Sequence, residues 1–416
     1  MINNLLVIFR DKLGPGLIFA AVAVGVSHLV QSTRAGADYG LALAGLIVFT
    51  CLIKYPAFRF GAEYAAATGT PLLDAYKRQG RLALIIYIIG FPIDMFIATA
   101  AIVLVTTGVF KNVFFININD IWLSFIILSS CAALLVSGQY KFFETIAKVV
   151  VVIFSVLTVI AALLSIPEVN WQTEDLTREV VFDQTTILFM IAIAGWMPTS
   201  VSVSMFQSIW VCEKAKSLGR PVTTKEAKYD FNLGYACTII LALCFVLMGT
   251  TLMYSAGIAT EASPSGFAAQ LMDMFSQVIG EWARPLIAIA ALAVMASTTL
   301  ASLDVCPRIS LSIIENLLPS FKFNRKLFYI LLLITQVIGS TLILVLFMKS
   351  FKTFIDFATS VAFVSAPALA WFNHRAVYSK EIPEELQPGN VMRIWSLLGI
   401  FVMLAVASYY VLIKLS

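Results

Sequence analysis

Apolar stretches of about 20 residues each follow one another along this chain, at 14–33, 41–62, 82–108, 120–137, 143–166, 186–210, 232–255, 285–303, 327–348, 353–372 and 394–414. As a helix, each is long enough to cross the roughly 30 Å hydrocarbon core of a bilayer. Backbone N–H and C=O groups find no water there, so only helices or a closed barrel can span, and the alternating pattern of barrel strands is absent. Composition agrees: 60% of the 416 residues are apolar and 12% are charged, about half the charge of a soluble domain. The sequence therefore predicts an all-α multi-pass membrane protein, a single membrane domain over 1–416 with about eleven transmembrane helices. The lipid bilayer is its first partner.

Orientation is read from Lys and Arg. With the N-terminus inside, Arg34, Lys111, Arg178, Arg284, Lys349, Lys352 and Lys414 fall outside, and Lys54 and Arg59 lie within span two. The other nineteen of the 28 Lys and Arg fall inside. This bias predicts a cytoplasmic N-terminus and an external C-terminus. A rival reading takes Arg10, Lys12, the first apolar run and Ala35-Gly36-Ala37 as a cleaved signal peptide, but that run ends in the polar stretch Gln31-Ser32-Thr33-Arg34.

A net charge of +4 is too small to suggest nucleic acid as a partner. Two histidines and six scattered cysteines without CxxC spacing exclude a His/Cys cage or a disulfide framework, and no resident cofactor is expected. Within 256–284, Phe267, Leu271, Met274, Phe275 and Val278 have helical spacing, which suggests a short helix on the membrane surface. Thr223 and Glu226 have capping-box spacing ahead of span seven.

Spans one to five (14–166) and six to ten (186–372) divide the chain into two halves of odd span number. The second half must then enter the membrane with opposite orientation, as in transporters built from inverted repeats; 394–414 is an extra span. The leading span of each half is interrupted near its middle, by Gly25-Val26-Ser27-His28 and by Gly195-Trp196-Met197-Pro198-Thr199-Ser200. Pro198 removes a backbone donor, which frees carbonyls around Ala194 and Gly195 to act as cation ligands. Met197, Ser200, Ser204 and Gln207, spaced 3, 4 and 3, would share one face of span six, and His28, Gln31 and Ser32 one face of span one. The bland alternative for the serines is close helix packing. Asp94 near the centre of span three is either a proton site, a counter-charge for substrate, or a helix-to-helix hydrogen bond. Lys54, Arg59 and Glu63 are expected to snorkel or pair near the cytoplasmic end of span two, and Asp304 and Arg308 to form a local ion pair.

These residues resemble the NRAMP family (natural resistance-associated macrophage proteins) of proton-coupled divalent-metal transporters. The matching features are Gly14-Pro15-Gly16, Arg34-Ala35-Gly36-Ala37, Thr68-Gly69, Met197-Pro198, Lys225-Glu226-Ala227 and Ser297-Thr298-Thr299, in order along nearly the whole chain. The resemblance implies a LeuT-like 5+5 inverted repeat with one extra helix. It also exposes departures. The family's Asp-Pro-Gly-Asn in span one is replaced by Gly25, Val26, Ser27 and His28, and its Met-Pro-His in span six reads Met197, Pro198, Thr199. The family's carbonyl ligand corresponds to Ala194.

The site expected for substrate is therefore Gly25, Ser27, His28, Ala194, Met197, Thr199, Ser200 and Gln207, with His28 and Asp94 as candidates for carrying a coupling proton. Without the aspartate, a neutral pocket does not offset the dehydration of manganese or ferrous ion. The leading expectation is an NRAMP-like secondary transporter, not an enzyme, working by alternating access on a small solute or a metal ion other than the usual one. Its alternatives are a divalent-metal importer using His28, Met197 and the Ala194 carbonyl, and a non-transporting receptor or partner subunit.

Overall fold

The computed structural model describes residues 14–138, 140–168, 180–318, 320 and 322–415, with the side chains of 17, 140–148 and 168 left aside. Arg10, Lys12, Lys141, Lys148 and Arg178, five of the charges behind the expected orientation, and most of loop 167–185 lie outside this description, in whole or as side chains.

The regular structure of the described residues is entirely helical: α1 (Pro15–Ala23), α2 (Thr33–Tyr39), α3 (Ala44–Thr68), α4 (Leu72–Gln79), α5 (Arg81–Pro92), α6 (Thr99–Phe114), α7 (Asp120–Ser137), α8 (Tyr140–Ser165), α9 (Gln184–Trp196), α10 (Val203–Leu218), α11 (Thr224–Gly249), α12 (Pro264–Ile279), α13 (Arg284–Leu317), α14 (Arg325–Phe347), α15 (Phe351–Val377) and α16 (Asn390–Leu415). Wider π-helical turns follow α1, α5 and α11, at Ser27–Ser32, Ile93–Ala98 and Thr250–Tyr254.

Eight continuous helical runs among the described residues are long and apolar enough to cross a membrane. The expected count of about eleven is not reached by this measure, and the difference lies in spans one, five and six. Span one is interrupted after the nine residues of α1, and span six is split into α9 and α10 of 13 and 16 residues. Such pieces are too short to span alone. Exposed apolar side chains such as Trp122 on α7, Leu331 and Ile338 on α14, and Phe401 and Leu404 on α16 form the outer surface, as lipid contact requires.

The centre is built from α1, α3, the Ile93–Ala98 turn with α6, and α9 to α11, with α13 and α15 closing round them. α3 is placed by its neighbours' hydrogen bonds to its own backbone. Pro56 has no N–H for the carbonyl of Leu52, and the Trp395 indole of α16 donates to that oxygen at 2.9 Å. One residue earlier, the Tyr235 hydroxyl of α11 donates to the Cys51 carbonyl at 2.6 Å. At Gly195 a Cβ would stand 2.0 Å from the Thr359 carbonyl oxygen, so only glycine lets α9 lie this close to α15.

The Thr223–Glu226 capping box forms as expected, both arms made, and so do the ion pairs Arg59–Glu63 at 2.7 Å and Asp304–Arg308 at 2.9 Å. The helix expected within 256–284 is α12, and its apolar face is covered by protein rather than left open to lipid. Phe267, Leu271, Met274 and Phe275 are buried against α6, α8 and α13, because the apolar face that suggested a lipid contact has protein to pack on.

Candidate functional site

The chain leaves helical geometry between Trp196 and Val203. A helix that ends inside the membrane leaves its last carbonyls without donors, and Pro198 lacks the N–H that would have reached Ala194. Two side chains from other parts of the fold supply donors instead. The Lys54 ammonium of α3 donates to the carbonyls of Ala194, Gly195 and Met197, each at 3.0 Å, and of Thr199 at 2.9 Å. The Ser27 hydroxyl lies 2.9 Å from the Pro198 carbonyl. Ser202 donates to the Asp94 carboxylate at 2.6 Å, leaving its oxygen to accept from Ser200 at 2.9 Å. The break is thus held by a cation on one side and a carboxylate on the other.

Lys54 does not snorkel, contrary to expectation. Its side chain is fully buried, with the nitrogen 5.7 Å from the centre of the Phe58 ring. No spacing rule announces this arrangement. The available signal was a lysine well inside an apolar span, where a charge is expensive unless it is partnered.

Span one has a subtler irregularity. α1 stops at Ala23, and the backbone continues as the π-turn Ser27–Ser32. The wider turn spreads the polar residues, so His28, Gln31 and Ser32 do not share a face. His28 Nε2 lies 2.8 Å from the Thr238 carbonyl of α11, and Nδ1 2.9 Å from the Ser27 hydroxyl. Gln31 donates to Asp356 and Thr359 of α15, at 3.1 and 3.2 Å, beside a bidentate Arg34–Asp356 pair of 2.7 and 3.1 Å. Ser32 turns to the Ser27 carbonyl at 3.3 Å and the Met197 sulfur at 4.0 Å.

A cavity of about 40 Å³ lies beside the break, lined by Val22, Val26 and Ser27, by Asp94, Ala98 and Ile102, by Trp196, Thr199, Ser200, Ser202, Val203 and Phe206, and by Thr298, Ala301 and Ser302. It has room for a few water molecules. Of the residues expected at the site, Ser27, Asp94, Thr199 and Ser200 meet here. Gly25 borders it, since a Cβ there would stand 3.3 Å from the Thr298 methyl. The trio of His28, Met197 and Ala194 offers no free ligand set in this conformation, because His28 faces α11 and the Ala194 carbonyl is taken by Lys54. Gln207 does not reach the cavity, and its Oε1 has no partner among the described residues. The face expected from Met197, Ser200, Ser204 and Gln207 does not form, because residues 197–202 are not helical; Ser204 instead accepts from Asn373 at 2.8 Å. Sequence reasoning missed Trp196, Ser202, Thr298 and Ser302 at the cavity. The Trp196 indole N–H is buried without a partner among the described residues. Among the described residues no group of three or more His, Cys, Asp and Glu could hold a metal ion.

This architecture is shared with solved transporters. A manganese transporter of Eremococcus coleocola, solved as its H236A mutant, superposes with a TM-score of 0.71 at 14% identity, covering 96% of this chain and 85% of that one. MhsT in complex with L-phenylalanine gives a TM-score of 0.64 at 14% identity over 95% and 97% of the two chains. Mhp1, a nucleobase-cation-symport-1 family transporter, gives 0.56 at 12% identity over 97% and 93%. At these identities the likeness shows the fold alone. In sequence, a protein of Pasteurella multocida (strain Pm70) described as uncharacterized is 30% identical over 372 residues, 89% of this chain and 85% of its own. Residues 16–413 match the profile of the Nramp family, natural resistance-associated macrophage protein-like. The chain is a multi-pass membrane protein with a transporter fold, and it belongs to the Nramp family.

Proposed function

We propose that the chain is a secondary transporter working by alternating access, with spans one to five and six to ten as inverted halves and span eleven added, the N-terminus cytoplasmic and the C-terminus outside. In this reading its cargo is not manganese or ferrous ion handled through the family's usual ligands. One observation carries it: the cavity beside the α9–α10 break has a single carboxylate in its lining, Asp94, among hydroxyls and apolar side chains. The place of the family's aspartate is a glycine facing Thr298. A dication wants several oxygen ligands with negative charge among them, and this lining supplies one carboxylate already bonded to Ser202. A small polar solute is better matched. It would offer a donor or positive group to Asp94 and an acceptor to Trp196, the cavity widening as the protein opens.

Asp94 is the stronger candidate for the coupling proton. His28 already has both ring nitrogens in hydrogen-bond contact with protein atoms, whereas Asp94 faces the cavity. Uptake into proteoliposomes under an imposed pH gradient tests the reading, with small amines, amino acids and manganese offered in parallel. The expected result is uptake of a polar organic solute that manganese does not inhibit. Manganese uptake at rates comparable to those of an aspartate-bearing family member would overturn it. Movement of no solute under any gradient would favour a receptor or partner subunit.

A further inference from the structure

A half-helix ending inside a membrane presents carbonyl oxygens at the negative end of its dipole, and in transporters such ends bind cations. At the end of α9 the oxygens of Ala194, Gly195, Met197 and Thr199 converge on one point, and at that point lies the nitrogen of Lys54. We propose that Lys54 is a built-in cation: its ammonium fills the carbonyl cage of the α9–α10 break, so the protein takes no free cation there, and deleting the side chain creates a site for a monovalent cation of ammonium or potassium size.

Three features of the geometry support this. First, the ligand set is made of backbone oxygens alone, four within 3.0 Å, and the acceptors outnumber the three N–H bonds of an ammonium, so at least one N–H is shared. A neutral amine would turn its lone pair toward an oxygen, so the cage fits the cation. Second, the cage is too wide for small dications. Magnesium sits about 2.0–2.1 Å from its oxygens and calcium about 2.3–2.6 Å, whereas these oxygens stand 2.9–3.0 Å from the nitrogen. Third, the nitrogen is anchored. α3 is held by Trp395 and Tyr235 through the carbonyls of Leu52 and Cys51, just before Lys54, and the side chain is wholly buried.

The cage and the cavity share only Thr199. Trp196, Thr199, Ser200 and Ser202 line the cavity; Lys54, Ala194, Gly195 and Met197 do not. A tethered ammonium therefore keeps the broken backbone neutralised at all times, whichever cargo occupies the cavity. It also ties α3 to the break, so the two move as one body. This inference deepens the transporter reading but is tested without transport, so a failure of uptake and a failure of the cage are separately visible.

The test uses full-length protein in nanodiscs. Thermal unfolding is followed at constant ionic strength while choline chloride is exchanged for potassium, ammonium or manganese chloride. Wild type should show no saturable response to any of them. Lys54→Met, which keeps the length of the arm and removes the charge, should lower Tm by about 5 °C or more, because four buried carbonyls lose their donor, and added cations should not restore it. Lys54→Ala should fall similarly and recover saturably with potassium or ammonium, not with manganese. A wild-type Tm that rises saturably with any of the cations, or a Lys54→Ala protein as stable as wild type and indifferent to cations, would overturn the proposal. If neither variant folds, reductive methylation of wild type decides. Lys54 should remain unmodified while exposed Lys77, Lys216 and Lys414 are dimethylated, and equal modification would contradict the proposal.

Discussion

The Ser202 hydroxyl donates to the Asp94 carboxylate at 2.6 Å, which joins the π-turn after α5 to the unwound segment between α9 and α10. Among the described residues no basic side chain pairs with Asp94. A carboxylate so placed depends on the cavity's water for the rest of its solvation. In the proposed alternating-access cycle its proton occupancy would change as the cavity opens and closes.

Uptake should accordingly depend on pH, and Asp94→Asn should remove most of that dependence while leaving the protein folded. Ser202→Ala, which deletes the donor and keeps the carboxylate, should displace the profile without flattening it. Uptake against pH for the three proteins checks this. A profile unchanged in Asp94→Asn, together with a lowered Tm, would reduce Asp94 to a helix tie.

His28 is a structural residue in this account. His28→Ala removes a ring from a fully buried site together with its hydrogen bond to the Thr238 carbonyl. The expected cost is about 2–4 kcal/mol of stability, read as a lower Tm. The same substitution should leave the protein's response to added divalent cations unchanged.

Gly195→Ala should be more damaging than its size suggests. The new methyl would stand 2.0 Å from the Thr359 carbonyl oxygen, so α9 and α15 must separate and the carbonyls around Lys54 move with them. A loss of about 3 kcal/mol or more is expected. A Gly195→Ala protein with wild-type Tm would show that the two helices are not held at this distance.

Arg34 and Asp356 tie α2 to α15. Asp356 keeps 29% of its side chain exposed while Arg34 keeps 6%, so solvent discounts the pair. Arg34→Ala should cost about 2 kcal/mol, and it should raise the reactivity of a cysteine placed at Ser200 toward a polar thiol reagent, because a link between the two helices is gone. Unaltered reactivity would mean that this pair does not restrict access to the cavity.

Much of this architecture was legible because it follows from hydrocarbon thickness and from proline and cap chemistry. The apolar runs, the break at Pro198, the Thr223–Glu226 box and the Arg59–Glu63 pair all appear where local rules put them. What was not legible depends on which helices touch. The period of 3.6 residues placed His28, Gln31 and Ser32 on one face, but a π-turn sends them to α11, α15 and Met197. Lys54 looked like a snorkelling lysine because no local rule reports that carbonyls 140 residues away would need its charge. The apolar face of α12 is the same whether lipid or protein covers it. Thr298 and Ser302 read as ordinary small residues of a packed span, and only the placement of α13 beside the break brings them to the cavity.

Calorimetric titration of the purified wild-type protein with manganese chloride bears most directly on the claim that the family's metal site is altered here. With Gly25 in the aspartate's place, His28 turned to Thr238 and the Ala194 carbonyl held by Lys54, no saturable heat is expected up to about 1 mM. Micromolar binding that disappears in His28→Ala would contradict the account and restore a metal importer that uses His28, Met197 and Ala194.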